Sequence, residues 1–254
     1  MHMGPGEATE FLGRLSVPGT ASGVEVLLFP PAVTLGALSA LLPEGEGGDG
    51  SVSFGAQNVY WEDQGAFTGE TSLPMVQEAG ATHVLIGHSE RRHVFGETDD
   101  EVARKVAAVL RHGLVPVVCV GETLQERQGG RWEDVVLRQV DAAVQAILPT
   151  IADGSGQRFL FAYEPVWAIG TGETATPEDA STAHAAIRRR LAEGLGVPAS
   201  SLQILYGGSV KPGNARELMS RQEVDGVLVG GASLDPTAFD QIIDAAVELG
   251  AGRG

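Results

Sequence analysis

Short, almost continuous apolar runs alternate with longer helical segments along this chain, and this alternation constrains the fold more than any other feature. Seven runs recur: "VEVLLF" at 24–29, "VSFGAQ" at 52–57, "HVLIGH" at 83–88, "VPVVCVG" at 115–121, "FLFAYE" at 159–164, "QILYGG" at 203–208 and "GVLVGG" at 226–231. Helical patterns lie between them, such as 99–112, 131–148, 177–193 and 236–249. Strands without polar alternation are buried on both faces, which is typical of parallel sheets. The repeated βα units predict a (β/α)8 barrel or an open doubly wound sheet.

The positions of the polar residues favour the barrel. They lie at the carboxyl ends of several runs: Gln57, Asn58, His88, Glu122, Glu164 and Ser209. A barrel brings all these ends around one mouth, whereas an open sheet concentrates its site at one switch point. Only seven strands are visible, although the closed barrel has eight. The missing strand is expected before the helix predicted in the opening stretch "MHMGPGEATEFLGRL".

The composition limits the classes of function. Of the 254 residues, 43% are hydrophobic, and no Pro- or Ser-rich linker interrupts the alternation, which predicts one domain over 1–254. The only cysteine, Cys119, excludes an internal disulfide and favours a cytoplasmic protein. The net charge of −16 argues against a nucleic-acid partner, and no uncharged apolar run approaches the roughly 20 residues that span a bilayer. A small molecule is therefore the expected ligand.

The segment "LIGHSERRHVFGE" at 85–97 ends a strand on His88 and begins a helix directly after it. A histidine in this position is often only a structural, hydrogen-bonded residue. However, the N-terminus of the following helix disfavours a charged ring, so a neutral His88 could donate a hydrogen bond to a carbonyl or an enediolate. Both interpretations stay open on this segment alone.

The segment "FAYEPVWAIGTGETATPEDA" at 161–180 ends a buried strand on Glu164. A poorly solvated carboxylate there is a candidate general base, or else a salt-bridged residue at the barrel rim. The next residues combine stiff and glycine-rich positions, which is typical of a lid that excludes water: Pro165, Val166, Trp167, Ala168, Ile169, Gly170, Thr171 and Gly172. "GTGETA" also fits a dinucleotide-binding pattern, but it starts six residues after the strand rather than directly after it.

Two further features point to a ligand and to a partner. "YGGSV" at 206–210 and "LVGGASL" at 228–234 close successive strands with paired glycines, which are either tight turns or a backbone anion site for phosphate. The loop "AQNVYWEDQGAFTGETS" at 56–72 is too long for an ordinary βα connection, and its aromatic residues predict a homo-oligomer contact. Cys119 is expected to be a packed, inert thiol. Known metal-binding spacings do not occur, so a metal is not implied.

Together these segments resemble the triosephosphate isomerase family, from the first helix to about residue 247. The motifs that carry the resemblance are "GAQNVYWEDQGAFTGE", "IGHSERR", "AYEPVWAIGTG", "YGGSVKP" and "VGGASL". The resemblance implies a (β/α)8 enzyme of glycolysis and gluconeogenesis that interconverts dihydroxyacetone phosphate and glyceraldehyde 3-phosphate through an enediolate. It also implies a homodimer and no cofactor.

The resemblance assigns roles to individual residues as well. Glu164 would move a proton between two carbons of the triose, neutral His88 would polarise the carbonyl, and Glu90 would support them without touching the substrate. The remaining roles concern binding: Gly170, Ser209, Gly230 and Gly231 would hold phosphate through backbone N–H groups, Tyr206 would latch the closed lid, and Thr68 would tip the loop that enters the partner subunit.

One departure concerns the N-terminus. The family begins with a strand whose asparagine and lysine line the active site, and "MH" at 1–2 aligns directly after that lysine. Neither Lys105, within a predicted helix, nor Lys211, within the "YGGSVKP" motif, would replace it. We therefore expect a chain that lacks the first barrel strand and is impaired or inactive, with a catalytically dead phosphate-binding barrel as the alternative function.

Overall fold

Seven strands and ten helices alternate in the computed structural model, which describes residues 1–19, 22–41, 52–152, 154, 156–169 and 175–251. The strands are β1 (Val26–Leu28), β2 (Val52–Ala56), β3 (His83–Ile86), β4 (Val115–Val120), β5 (Leu160–Tyr163), β6 (Ile204–Tyr206) and β7 (Gly226–Val227). The helices are α1 (Pro5–Arg14), α2 (Ala32–Ser39), α3 (Leu73–Glu78), α4 (Ser89–His93), α5 (Asp99–Arg111), α6 (Leu124–Gln128), α7 (Trp132–Ala152), α8 (Pro177–Leu195), α9 (Pro212–Met219) and α10 (Pro236–Ala251).

All seven strands form one parallel sheet in the order in which they occur along the chain, from β1 to β7. Typical register pairs are Val26 with Val52, His83 with Val115, and Val117 with Leu160. The sheet curls as part of a barrel with helices outside it, which confirms the predicted fold class and its seven visible strands. The strands end earlier than the apolar runs, most clearly at β7, where the strand comprises two residues of the predicted 226–231.

Both faces of the sheet are buried, and this explains why its strands lack polar alternation. Alternate residues point inward to a small cluster made by Leu85, Val117, Cys119, Leu160 and Ala162. Their neighbours along the strands, such as Val84, Val118 and Phe161, pack outward against the helices in the main core. Each strand therefore contributes to two apolar layers.

Several helices begin at residues that cap their own first turn. The hydroxyls of Thr98, Thr123 and Thr176 accept hydrogen bonds from backbone N–H groups three residues later, and the acidic residue at that third position bonds back to the threonine N–H. This capping box satisfies N–H groups that lack partners within the helix. The caps fix where α5, α6 and α8 start, directly after the loops at the carboxyl ends of the strands.

Helix α7 is long and apolar enough to cross a membrane by length and composition alone. Its residues Val136, Val140, Val144 and Ile147 are, however, buried in the core of the protein. A helix buried in a protein core can have the same length and composition, so the segment does not indicate a membrane span.

Two buried histidines make the stability of the fold sensitive to acid. His83, at the start of β3, and His184, in α8, both have a pKa lowered from 6.5 to about 4, chiefly because burial disfavours the charged ring. Glu25 opposes this shift at His83 and Arg158 reinforces it. At His184, the Glu223 carbonyl and Asp225 oppose the shift, whereas Arg188 reinforces it.

We predict that the free energy of unfolding falls as the pH decreases from 6.5 to about 4. In this window the unfolded chain binds protons at both histidines and the native chain does not, so protonation favours unfolding. Each histidine contributes a slope of about 1.4 kcal/mol per pH unit. Urea titrations of wild type and of the His83→Asn/His184→Gln double variant should show a shallower slope in the variant. The exposed replacement His2→Gln should leave the slope unchanged, and equal slopes in all three proteins would contradict the prediction.

Candidate active site

The carboxyl ends of β3 and β5 bring Glu164 and His88 into direct contact. Glu164 follows β5 and continues the inward series of Leu160 and Ala162, because alternate residues of a strand share one face. Its carboxylate is 2% exposed, and Oε1 lies 3.0 Å from His88 Nε2. The backbone N–H of Ser89 donates to Glu164 Oε2 at 2.9 Å, and the Ser89 hydroxyl donates to Oε1 at 3.3 Å. The buried carboxylate is therefore satisfied on both oxygens.

The hydrogen bonds of His88 identify which of its nitrogens carries the proton. The Glu90 backbone N–H donates to His88 Nδ1 at 3.3 Å, so the proton of the neutral ring is on Nε2, which faces Glu164. Burial lowers the pKa of His88, but the hydrogen bond and charge of Glu164, together with the charge of Glu90, outweigh burial and raise this pKa above its ordinary value. The helix N-terminus suggests the opposite direction. A carboxylate in contact with the ring has the larger effect.

Tight packing beneath Glu164 fixes its backbone. The Glu164 N–H donates to the Val120 carbonyl at 2.8 Å, which joins the ends of β5 and β4. A Cβ on Gly121 would lie 1.8 Å from the Glu164 carbonyl oxygen, so only glycine fits there. The side-chain amide of Gln139 bonds to both the N–H and the carbonyl of Gly121, at 2.8 and 3.1 Å. The position of Glu164 thus depends on α7 as well as on the sheet.

The predicted inert thiol lies in this inner layer. Cys119 is fully buried, and burial raises the pKa of its thiol well above the ordinary value. The charge of the nearby Glu164 acts in the same direction. A thiol that stays protonated is a poor nucleophile, which agrees with the sequence-based expectation.

A second buried carboxylate, Glu122, holds the start of the predicted lid. Its Oε1 accepts hydrogen bonds from the Tyr163 hydroxyl at 3.1 Å, from Trp167 Nε1 at 2.9 Å and from Arg127 Nη1 at 3.1 Å. Burial, followed by the Glu122 charge, raises the pKa of Tyr163, so its hydroxyl stays a donor. A short 3-10 turn, Val166–Ala168, follows Pro165. Of the predicted lid, Pro165 to Ile169 are described, whereas Gly170, Thr171 and Gly172 lie outside the described residues.

The predicted phosphate residues line the same cavity as His88 and Glu164. This cavity, of about 1420 Å³, is bordered by Ser209, Gly230 and Gly231 after the last two strands. Asn214 Nδ2 donates to the Ser209 carbonyl at 2.9 Å, and Gly231 begins a 3-10 turn, Gly231–Leu234. Gly170, the fourth predicted phosphate residue, lies outside the described residues. The glycine pairs therefore lie at the mouth that contains the candidate acid–base groups.

Glu90 and Lys211 lie at the cavity, whereas Lys105 is buried away from it. Glu90 is exposed at the rim of the cavity and contacts His88 through its backbone N–H. Lys105 lies within α5, as predicted, where it is buried and pairs with Glu97 and Asn58. Lys211 lines the cavity at the start of α9. Within the described ranges, no group of three or more His, Cys, Asp and Glu side chains is arranged to hold a metal ion.

The aromatic loop at 56–72 packs partly on itself. Tyr60 stacks on Trp61 at 4.0 Å and packs against Phe67 at 4.5 Å, while the Tyr60 N–H donates to the Thr71 carbonyl and closes the loop. Tyr60 and Trp61 are therefore partly covered by the chain itself. Phe67 is 40% exposed, and Thr68 beside it is also exposed.

Sequence reasoning missed the residues that hold the site from outside the cavity. Ser89 is recognisable only as a helix-capping type, yet it contacts the Glu164 carboxylate from 75 positions away along the chain. Gln139 lies in a helix with an ordinary amphipathic pattern and gives no sequence signal. Both contacts depend on how distant elements pack, which a local pattern does not contain.

Comparisons with known proteins agree with this geometry. The family model described as triosephosphate isomerase matches residues 1–246. Among curated proteins, the triosephosphate isomerase of Alkalilimnicola ehrlichii is 50% identical over 236 residues, covering 92% of this chain and 91% of the relative. Those of a Synechococcus species and Chloroflexus aurantiacus are 46% and 48% identical, and each alignment covers 96% of this chain and more than nine-tenths of the relative.

We predict that Gly121→Ala destabilises the fold by about 2–4 kcal/mol, because the added methyl group meets the Glu164 backbone and Gln139 holds Gly121 in place. Urea unfolding measures the loss. The matched control is Gly36→Ala within α2, where a Cβ meets nothing within 4 Å and alanine should stabilise by about 0.5–1 kcal/mol. Equal stability of the two variants would show that the space around Gly121 is not restrictive.

Proposed function

This chain belongs to the triosephosphate isomerase family and is an isomerase of triose phosphates, and we propose that Glu164 and His88 perform its proton transfers. The observation that carries the proposal is the contact between a buried carboxylate and the Nε2 of an imidazole whose Nδ1 accepts a backbone N–H, at the mouth of the barrel. A carboxylate can remove a proton from carbon, and an N–H donor can stabilise charge on the adjacent oxygen.

The proposed reaction uses one base and one donor. Glu164 removes a proton from the carbon beside the carbonyl and returns it to the neighbouring carbon. His88 Nε2–H donates to the carbonyl oxygen, so the negative charge of the enediolate develops next to a donor. The same ring then moves a proton between the two oxygens of the enediolate. Because Nδ1 accepts the Glu90 N–H, the ring acts as a neutral donor, and substrate must take the place of the Glu164 contact at Nε2.

The phosphate of the substrate would bind at the other side of the same cavity. We assign it to the backbone N–H groups of Ser209, Gly230 and Gly231, with Gly170 from the lid. Glycine pairs allow the backbone to approach an anion closely, and Gly231 opens a turn whose first N–H groups have no partner within that turn. Closure of the lid over this group would keep water from the enediolate.

Tyr206 is the proposed latch of the closed lid. Its hydroxyl is buried and has no hydrogen-bond partner among the described residues, and burial raises its pKa to about 12. A neutral buried hydroxyl costs free energy unless it finds a partner. A backbone group of the closing lid would supply one.

A homodimer is the proposed assembly. Large apolar side chains remain exposed in two segments: Phe67 and Met75 around the aromatic loop, and Val94 and Phe95 directly after α4. Phe95 is 68% exposed and lines the cavity together with His88. Exposed aromatic and methionine side chains are enriched at subunit interfaces. Thr68 would be the tip of the loop that enters the partner subunit.

Two further assignments concern the domain organisation and the location of the enzyme. We propose that 1–254 is one domain, since all described strands belong to one sheet and the family model spans 1–246. We also propose a cytoplasmic enzyme that acts on free triose phosphate without nucleic-acid or membrane partners. The activity of its family in glycolysis and the reduced, buried Cys119 support this location.

The proposed catalytic roles predict that Glu164→Gln and His88→Gln each lower kcat by about 10²–10⁴ in a coupled assay of triose phosphate isomerisation. Glutamine keeps the size of glutamate but cannot remove a proton, and in place of His88 it cannot move one between the oxygens. Glu78→Gln, an exposed change in α3, is the control and should keep wild-type kcat. A Glu164→Gln enzyme within a few fold of wild type would exclude Glu164 as the base. A folded wild type that bound triose phosphate without converting it would favour the catalytically dead barrel.

The proposed dimer predicts that Thr68→Arg shifts the protein toward monomers in sedimentation velocity at micromolar concentration, because a long charged side chain cannot be buried at the loop tip without a partner. Thr9→Arg, on the exposed face of α1, should leave the sedimentation coefficient unchanged. A dimer that persists in Thr68→Arg would remove this loop from the interface.

A further inference from the structure

Arg92, a residue outside the cavity, wraps around the backbone of His88. It lies in α4, one turn after His88, and its side chain is only 8% exposed. The Arg92 N–H donates to the His88 carbonyl at 3.1 Å, and Arg92 Nε donates to the Gly87 carbonyl at 2.8 Å. Arg92 therefore holds both peptide groups that flank His88.

The Arg92 bonds hold the backbone at the point where the hydrogen bonds between β3 and β4 end. The pairing of β3 with β4 ends at Ile86 and Val118, two residues before His88. Gly87 then leaves the strand with φ +69°, in the left-handed region that favours glycine. A Cβ on Gly87 would also lie 2.8 Å from Arg92 Nη2, so the guanidinium packs directly on this backbone. The turn that presents His88 is fixed by Arg92 rather than by strand pairing.

The same guanidinium also bonds to β4, the strand that accepts the backbone N–H of Glu164. Arg92 Nη2 donates to the Cys119 carbonyl in β4 at 3.1 Å. The next carbonyl along β4, that of Val120, accepts the Glu164 N–H. One side chain thus links the backbone of His88 to β4, the strand whose Val120 carbonyl holds the Glu164 N–H.

An anchor on α5 holds the guanidinium in place. Arg92 Nη1 donates to Asp99 Oδ1 at 2.7 Å, and Arg138 Nε donates to Asp99 Oδ2 at 3.1 Å. Asp99 lies in the first turn of α5, where a negative charge is favoured by the helix dipole. Arg92 therefore makes three side-chain bonds in three directions. A planar guanidinium can do this because its donors are on three nitrogens, whereas lysine has its three N–H donors on one nitrogen at the end of a flexible stem.

We propose that Arg92 is a positioning residue that sets the His88 ring against the Glu164 carboxylate. This inference rests on the proposed roles of these two residues in proton transfer. A displacement of about 1 Å between reacting groups can lower a rate by about 10². Loss of the Arg92 bonds should thus impair the chemical step more than the binding of substrate.

The test compares Arg92→Lys with wild type in steady-state isomerisation. We expect kcat to fall by about 10- to 100-fold while KM changes by less than about threefold, since the phosphate residues are untouched. The pH profile of kcat/KM, which reports ionisations of the free enzyme, should shift as well, because the pKa of His88 in the free protein depends on its contact with Glu164. The ¹⁵N chemical shifts of the His88 ring should report the same change in the free protein.

Arg188→Lys is the matched control for loss of a buried guanidinium. Arg188 bonds Glu223, Asp225 and the Leu202 carbonyl, and Asp225 in turn accepts the N–H of Ile204 at the opposite end of the sheet. It should lower stability to a similar extent and leave kcat and the pH profile unchanged. If both variants lost activity only in proportion to their stability, Arg92 would be merely structural and the proposal would be overturned.

Two further variants keep the outcomes separate. Should Arg92→Lys fail to fold, Asp99→Asn removes the charge that anchors Arg92 and should lower kcat in the same direction by a smaller factor. An unchanged kcat and pH profile in folded Asp99→Asn and Arg92→Lys would overturn the positioning role alone, provided that Glu164→Gln is inactive. Full activity of Glu164→Gln would instead overturn the catalytic roles on which this inference rests.

Discussion

Burial of the sheet on both faces is the constraint on which the rest of this structure depends. Along β5, Leu160 and Ala162 fill the inner layer while Phe161 and Tyr163 pack toward the helices, so polar side chains have no place until the strand ends. The first polar residue after this strand, Glu164, lies at the mouth of the barrel as a result. Parallel strands repeat this arrangement around the sheet and gather their polar ends on one side. The location of the site is therefore a consequence of how the core is packed.

This constraint explains how much could be predicted from the sequence. The strands, the direction of the sheet and the residues at the mouth follow from apolar runs that end on a polar residue, as "FLFAYE" does. The ends of the strands do not follow, because the ladder stops where glycines such as Gly87 turn the backbone away. The ionisation of His88 does not follow either. A helix N-terminus is visible in a sequence, but the carboxylate that contacts the ring comes from a segment 76 residues later.

Charges buried beneath the mouth form a second layer that local patterns do not reveal. Glu122 binds three donors, Lys105 pairs with Glu97, and Arg92 joins two strand ends to Asp99. Removal of one partner from such a group leaves an uncompensated buried charge, which is strongly destabilising. A single substitution in one of these contacts is therefore expected to be strongly destabilising. In the sequence, Glu122 is visible only as a polar residue at the end of a strand, and the other residues look like ordinary charged positions on helices and loops.

The residues at the mouth and the charges buried beneath it meet different physical requirements. Proton transfer between carbon atoms in the proposed reaction needs a base and a donor held within fractions of an ångström, and this requires satisfied bonds beneath them. Exclusion of water needs a segment that can move, and this requires few bonds above them. Pro165 separates the fixed backbone from the start of the proposed lid. The N–H of Glu164, before it, bonds to the Val120 carbonyl, and Trp167 Nε1, in the turn after it, bonds to the Glu122 carboxylate. The proposed lid would then close without moving the backbone of Glu164, the proposed base, because Glu122 and Glu164 are fixed by separate bonds.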